Sequence, residues 1–132
     1  MSGAAARCRM NEVRMQRGAA AEALAAQYLR LRGLKILARN LRCKAGELDL
    51  VCLDGGVLTI VEVRQRASAE YGGALASVTW AKQRKIIRAA QFFLQREKHW
   101  RNFPMRFDVL AVDGSSDGAY RLDWVKDAFR GV

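Results

Sequence analysis

Apolar residues Ala21, Leu24, Ala25, Tyr28 and Leu29 recur at i, i+3, i+4, i+7 and i+8, the stripe of an amphipathic helix. The spacing predicts a first helix over Gly18–Arg32, with Gly33 as its stop. From Leu34 to Arg42 the pattern changes to alternation, with Ile36 and Ala38 set against Lys35 and Arg39, and predicts a strand. Glu47–Leu53 and Val57–Arg64 are rich in Val, Ile, Leu and Thr, and Gly55-Gly56 between them is a two-residue hairpin signal. Ala67–Gly73 is small, polar and glycine-bearing, hence a loop. Thr79–His99 returns to helical spacing, with Ile86, Ala89, Ala90 and Phe93 directed inward, and Pro104 closes the connection that follows. Two further strands, Arg106–Val112 and Tyr120–Val125, flank the turn-forming run from Asp113 to Gly118.

The order is therefore helix, three strands, helix, two strands, an α/β fold with a central mixed sheet flanked by helices. With no internal repeat and no second apolar core, 132 residues suit one domain. That domain is expected over residues 17–132, behind a basic arm at 1–16 in which Arg7, Arg9 and Arg14 are opposed only by Glu12. The arm lacks the continuous apolar segment of a secretory signal; its arginine-rich, acid-poor make-up also suits an organelle transit peptide, and Met10 or Met15 are alternative starts of translation. Fully apolar runs such as Val109-Leu110-Ala111-Val112 fall far short of the roughly 20 residues of a membrane-spanning helix, so no crossing is expected.

Charge narrows the choice of partner. Lys and Arg number 23 against 13 Asp and Glu, a net of +10, and the excess lies wholly before Phe107. So positive a field attracts polyanions, which points to a nucleic acid or an anionic membrane surface. The 3 cysteines, Cys8, Cys43 and Cys52, contain no C-x-x-C pair, which argues against a disulfide framework or structural zinc and for a reducing cytoplasm. Cys52 alternates with Leu48 and Leu50 and reads as core.

Symmetric pairing about Gly55-Gly56 sets Asp49 across from Glu62 and Glu47 across from Arg64, all on one side of the two strands. Directly opposed carboxylates destabilise a sheet unless something compensates them. A divalent cation with a taste for hard oxygen donors, magnesium or manganese, does so. Glu22 shares nearly the azimuth of Leu29, on the edge of the first helix's apolar stripe, and so directs a further carboxylate toward the sheet. Each acid taken singly also fits a half-exposed sheet face, and Glu47 with Arg64 fits a cross-strand salt bridge; the combination favours a metal site.

These residues resemble a known family. Gly46-Glu47-Leu48-Asp49-Leu50 and Val61-Glu62-Val63-Arg64-Gln65-Arg66, with Glu22, Arg39-Asn40, Tyr71-Gly72, Lys82 and Arg106-Phe107-Asp108, look like the YraN-like family of small bacterial proteins over roughly Arg17–Val112. That family is itself similar to archaeal Holliday-junction resolvases and to the restriction-endonuclease-like PD-(D/E)xK nucleases. The resemblance implies a restriction-endonuclease-like domain, with Asp49 and Glu62 as metal ligands, Val63 offering its backbone carbonyl, and Glu22 as auxiliary acid. It also implies DNA as substrate, branched DNA in particular, and a homodimer, since junction cutting needs two active sites. Position 64 departs from the motif: arginine stands where the family pattern has lysine. A guanidinium stays protonated, so Arg64 serves for charge stabilisation and not as general base. Lys82 or Lys85 replacing the missing amine, a metal-activated water acting without lysine, and loss of cleavage with binding retained are the three ways to accommodate it.

Arg66, Lys82, Arg84, Lys85 and Arg88 are the expected phosphate contacts, and nothing indicates readout of base sequence. For Trp80, Trp100 and Trp124, core or edge packing is expected over stacking on unpaired bases. His99 has no triad partners. Two function classes follow: a magnesium- or manganese-dependent DNA endonuclease, and a nucleic-acid-binding module of the same fold. A domain that uses its basic side on a membrane or a protein is the third, disfavoured because the helices' apolar stripes are needed for the core.

Overall fold

The sequence's first stripe folds as helix α1, residues 20–31. Gly33 ends it in the left-handed region at φ +90, its N–H bonding the Arg30 carbonyl at 3.0 Å while the Leu34 N–H bonds that of Leu29 at 3.1 Å. The structure, a computed structural model, describes residues 20–66, 73–114 and 118–131. The basic arm at 1–16 with Cys8, and the Tyr71-Gly72 step, lie outside the described residues.

Three strands follow: β1 (Lys35–Cys43), β2 (Gly46–Asp54) and β3 (Val57–Arg66). Asp54 pairs with Val57 around the two-glycine turn, where Gly55 takes φ +60, a conformation glycine adopts without steric cost. Helix α2 (Trp80–Arg96) comes next, and then β4 (Met105–Gly114) and β5 (Tyr120–Phe129). All five strands form one sheet in the order β1-β2-β3-β4-β5, antiparallel except for β3 with β4, which are parallel and joined through α2.

Each helix covers its own cluster of sheet residues. Ile86, Ala89, Ala90 and Phe93 of α2 are all buried as the spacing predicts, against Val51, Leu58, Ile60, Phe107, Val109 and Ala111. Ala25, Ala26 and Leu29 of α1 pack with Leu50, Cys52, Val61 and Leu110. Fully burying a leucine or valine side chain of these clusters contributes about 1.5–3 kcal/mol. Cys52 is core, and burial pushes its thiol up to about 12, so it is inert. Among the described residues no helix is long and apolar enough to cross a membrane.

Three elements depart from the sequence pattern. α2 ends at Arg96 rather than His99, because Glu97 leaves helical geometry at φ −104, ψ 71 and starts a short 3-10 turn. β5 runs on to Phe129: its register against β4 shifts between Phe107↔Phe129 and Val109↔Val125, and the bulged Asp127 takes φ +50. Leu48 does not join Leu50 and Cys52 but packs in the α2-side cluster, so alternation breaks at Asp49.

Candidate metal centre

The break at Asp49 creates the site. β2 and β3 keep the register set by the glycine turn, from Asp54↔Val57 back to Leu50↔Val61, where the ladder ends. Asp49 is the next residue, and its Oδ2 accepts the Val63 N–H at 2.9 Å, a side chain occupying the place of a ladder carbonyl. On the other side of β2, Asn40 of β1 lies between Arg39, paired with Leu50, and Leu41, paired with Leu48, and has φ +51. Its amide hydrogen-bonds the carboxylate of Glu22, which α1 carries to the same place. One carboxylate oxygen each from Glu22, Glu47 and Asp49 lies within 4.8 Å of the other two, and all three residues are half-buried. Burial and the charges of Asp49 and Glu47 raise the Glu22 carboxyl above its ordinary range, against the lowering effect of Asn40 and Arg39.

Glu62 adjoins this group without belonging to it. It is buried at 4% exposure, and desolvation, then the charge of Asp49 and a hydrogen bond between the two carboxyl groups, push it up to about 8. Two cations oppose the shift: Arg64 Nη1 and Lys82 Nζ each lie 3.9 Å from Glu62 Oε1. Lys82 reaches this point from the first turn of α2, where Thr79 caps the helix by accepting the Lys82 N–H at 3.1 Å. The Nε of Arg64 is buried and has no hydrogen-bond partner among the described residues. Three carboxylate oxygens at this spacing could hold a metal ion, whose charge would relieve the repulsion among them.

The raised carboxyl has a measurable consequence. A group whose folded pKa exceeds its unfolded value contributes stability that is complete below the unfolded value and lost as pH rises through the folded one. For Glu62 that window runs from the ordinary carboxylate range up to about 8. In a chelating buffer, Glu62→Gln is therefore expected to gain on the wild type by on the order of 2 kcal/mol between pH 5 and pH 8. Urea melts at the two pH values measure it; an equal offset at both shows that ionising Glu62 costs nothing.

Several expectations need correction. Glu47 does not face Arg64, because the strands part beyond Leu50 and Val61; it pairs with Arg42 of β1, at 3.8 Å. Arg66, expected at a phosphate, is engaged within the fold: Asp113 takes its Nε at 2.7 Å and its Nη2 at 2.9 Å, and the Gly73 carbonyl accepts its Nη1. Lys85, Arg84 and Arg88 are exposed, with Lys85 over Gly46 at the start of β2. Trp124 and Trp100 are partly buried as expected, but Trp80 is 71% exposed. The pattern reading missed Asp108, whose one signal is an acid inside an apolar strand, two residues after Arg106.

The arrangement has relatives. The profile of the uncharacterised protein family UPF0102 matches residues 21–112, which takes in both helices, the carboxylate group and most of β4. The chain belongs to the UPF0102 family. A UPF0102 protein of Pseudomonas putida is 53% identical over 112 residues, covering 85% of this chain and 90% of the relative. UPF0102 proteins of Pseudomonas syringae pv. syringae, 49% identical over 116 residues (88% and 94% covered), and Pseudomonas fluorescens, 50% over 112 residues (85% and 91%), are similar as well. The UPF0102 match thus spans every residue of the metal group and its neighbours Asn40, Glu62, Arg64 and Lys82.

Proposed function

We propose that the protein is a metal-dependent DNA endonuclease of the restriction-endonuclease-like kind, acting on the phosphodiester backbone, branched or structured DNA in particular, without sequence preference. The observation that carries this reading is the convergence of Glu22, Glu47 and Asp49 within 4.8 Å beside Glu62, in a chain of net charge +10. Acids gathered at one point of a basic protein serve a cation, and the basic surroundings serve a polyanion. Bound there, magnesium or manganese supplies Lewis-acid polarisation and charge neutralisation of a phosphodiester.

The chain's own residues supply the rest. Glu22, Glu47 and Asp49 are the ligands, with Glu62 completing the set once its proton leaves. Val63 holds Asp49 in place through its N–H. Arg64 and Lys82 converge on Glu62 from β3 and α2, which supports a role for both cations in stabilising charge that develops on the phosphoryl oxygens during displacement. The unspent Arg64 Nε is a donor for such an oxygen. Lys82 takes the part that the motif lysine plays at position 64 in the nucleases the sequence resembles, reaching the site through space from a different element. The second reading, a binding module without turnover, draws on Arg64 itself, since a guanidinium cannot take a proton from water.

Incubation with supercoiled, single-stranded and four-way-junction DNA, with magnesium, manganese or chelator, separates the two. Cleavage that needs the metal is expected, with Lys82→Met lowering turnover about 100-fold at nearly unchanged DNA affinity and Arg64→Lys keeping it within about tenfold. Binding without cleavage of any substrate under either metal sinks the enzyme reading and leaves the binding module.

A further inference from the structure

Helix α2 carries a second stripe beside the one that faces the core. Trp80, Gln83, Arg84, Ile87, Arg88 and Gln91, spaced i, i+3, i+4, i+7, i+8 and i+11, line a groove of about 170 Å³. Arg130, beyond the end of β5, closes its far side. Residues 80 to 91 extend about 16 Å along the helix axis. The composition fits neither core nor ordinary solvated surface. Trp80 leaves 71% of its area in water, and the Arg84 guanidinium lies 5.0 Å from its ring centroid. Among the described residues Arg84 and Arg88 pair with no carboxylate, whereas Arg130 is held by Asp127 at 3.0 Å.

An open indole flanked by unneutralised guanidinium groups and amide side chains offers a base a stacking face and its phosphates charge-assisted donors. We propose that this groove is a subsite for an unpaired strand of nucleic acid, with Trp80 stacking on a base and Arg84 and Arg88 taking its phosphates. The inference rests on the nucleic-acid reading of the carboxylate site and deepens it, by assigning the substrate a single-stranded arm next to the bond that is cut. Position favours the link: Trp80 and Lys82 share the Thr79-capped first turn of α2, and Lys82, like Arg64, lies 3.9 Å from Glu62. Two residues turn the helix by roughly 200°, so the arm passes around the N-terminus of α2, about one helix diameter from the carboxylates. Shape and stacking, not hydrogen-bonded base edges, govern such a contact, in keeping with the absence of a sequence-reading motif.

Binding in chelator, where no cleavage occurs, tests the subsite independently of the enzyme reading. Fluorescence anisotropy with a labelled oligothymidylate and with a blunt duplex is the measurement, on wild type, Trp80→Ala and Trp80→Phe. Trp80→Ala is expected to lose about tenfold in affinity for the single strand and no more than about twofold for the duplex, with Trp80→Phe close to wild type. Oligothymidylate is expected to quench tryptophan emission in the wild type and not in Trp80→Phe. Trp80 is exposed at the helix start, so folding is unaffected, and a thermal melt of each variant checks it. Equal losses on both ligands, or none, overturn the subsite and leave the nuclease proposal standing. A wild type that binds neither ligand overturns both. Sedimentation showing a wild-type dimer that Trp80→Ala dissociates, at unchanged single-strand affinity, assigns the groove to a second copy of the chain and overturns it too.

Discussion

Asp49→Asn is expected to lower metal-dependent DNA cleavage by about 1,000-fold or more while leaving the fold intact and DNA affinity in chelator unreduced. The amide keeps an oxygen where Oδ2 accepts the Val63 N–H, so the local link between β2 and β3 survives. What disappears is one negative charge from the group of Glu22, Glu47 and Asp49, and with it one hard ligand. The same charge is a leading cause, after desolvation, of the raised Glu62 carboxyl, so its removal relieves the metal-free protein rather than straining it. Manganese titration by calorimetry is expected to show weakened binding, and the melting temperature in chelator is expected to hold or rise. Cleavage equal to that of the wild type would mean that the activity resides elsewhere, in another site or another protein.

Asp108→Ala carries the largest expected loss of stability, about 3–5 kcal/mol. Asp108 is fully buried, and its carboxylate accepts four hydrogen bonds: Arg106 Nε at 2.8 Å and Nη2 at 3.0 Å, Trp124 Nε1 at 3.0 Å, and the Asp127 N–H at 2.9 Å. The last of these holds the bulged residue of β5, so the carboxylate sets the path of that strand as well as neutralising Arg106. Asp54 takes a further Arg106 bond at 2.8 Å, which ties the far end of β2 into the same network. Alanine leaves a half-compensated guanidinium, an indole N–H and a backbone N–H without the acceptor that the buried carboxylate provides. Set against a total stability of about 5–15 kcal/mol, the loss removes a large share of the margin. A urea midpoint shift at unchanged m, and a fall in Tm of roughly 15 °C, are the readouts. A shift below about 1 kcal/mol would show that water enters to satisfy the orphaned donors.

The carboxylate site divides between what local pattern reveals and what it hides. The glycine turn carries Asp49 close to Glu62, but the ladder stops at Leu50↔Val61 and alternation breaks at Asp49, so the two meet through a hydrogen bond between their carboxyl groups and not as the cross-strand pair that a period of two predicts. Glu22 is found by its misplacement on an apolar stripe. Glu47 is harder: its partner depends on β2 leaving β3 and staying with β1, and a one-dimensional count carries every pairing on without end. Arg66 likewise reads as a free basic residue until β4 and β5 bring Asp113 and Asp123 to it across the fold. Lys82 at Glu62 is a meeting of α2 and β3, named from sequence only as one of two candidates for that place.

From sequence alone came the element order, the α/β fold with one mixed sheet, the inward stripes of both helices, the hairpin register next to the turn and the cationic excess. All of these arise from neighbours along the chain or from sums over it. Only the tertiary structure decided which acids share a point in space, which arginines are held by internal partners, that Leu48 changes sides at Asp49, and that Trp80 stands open to water. Those outcomes depend on where strands separate and which helix face stays uncovered, and both are settled by long-range packing that no short window of residues contains.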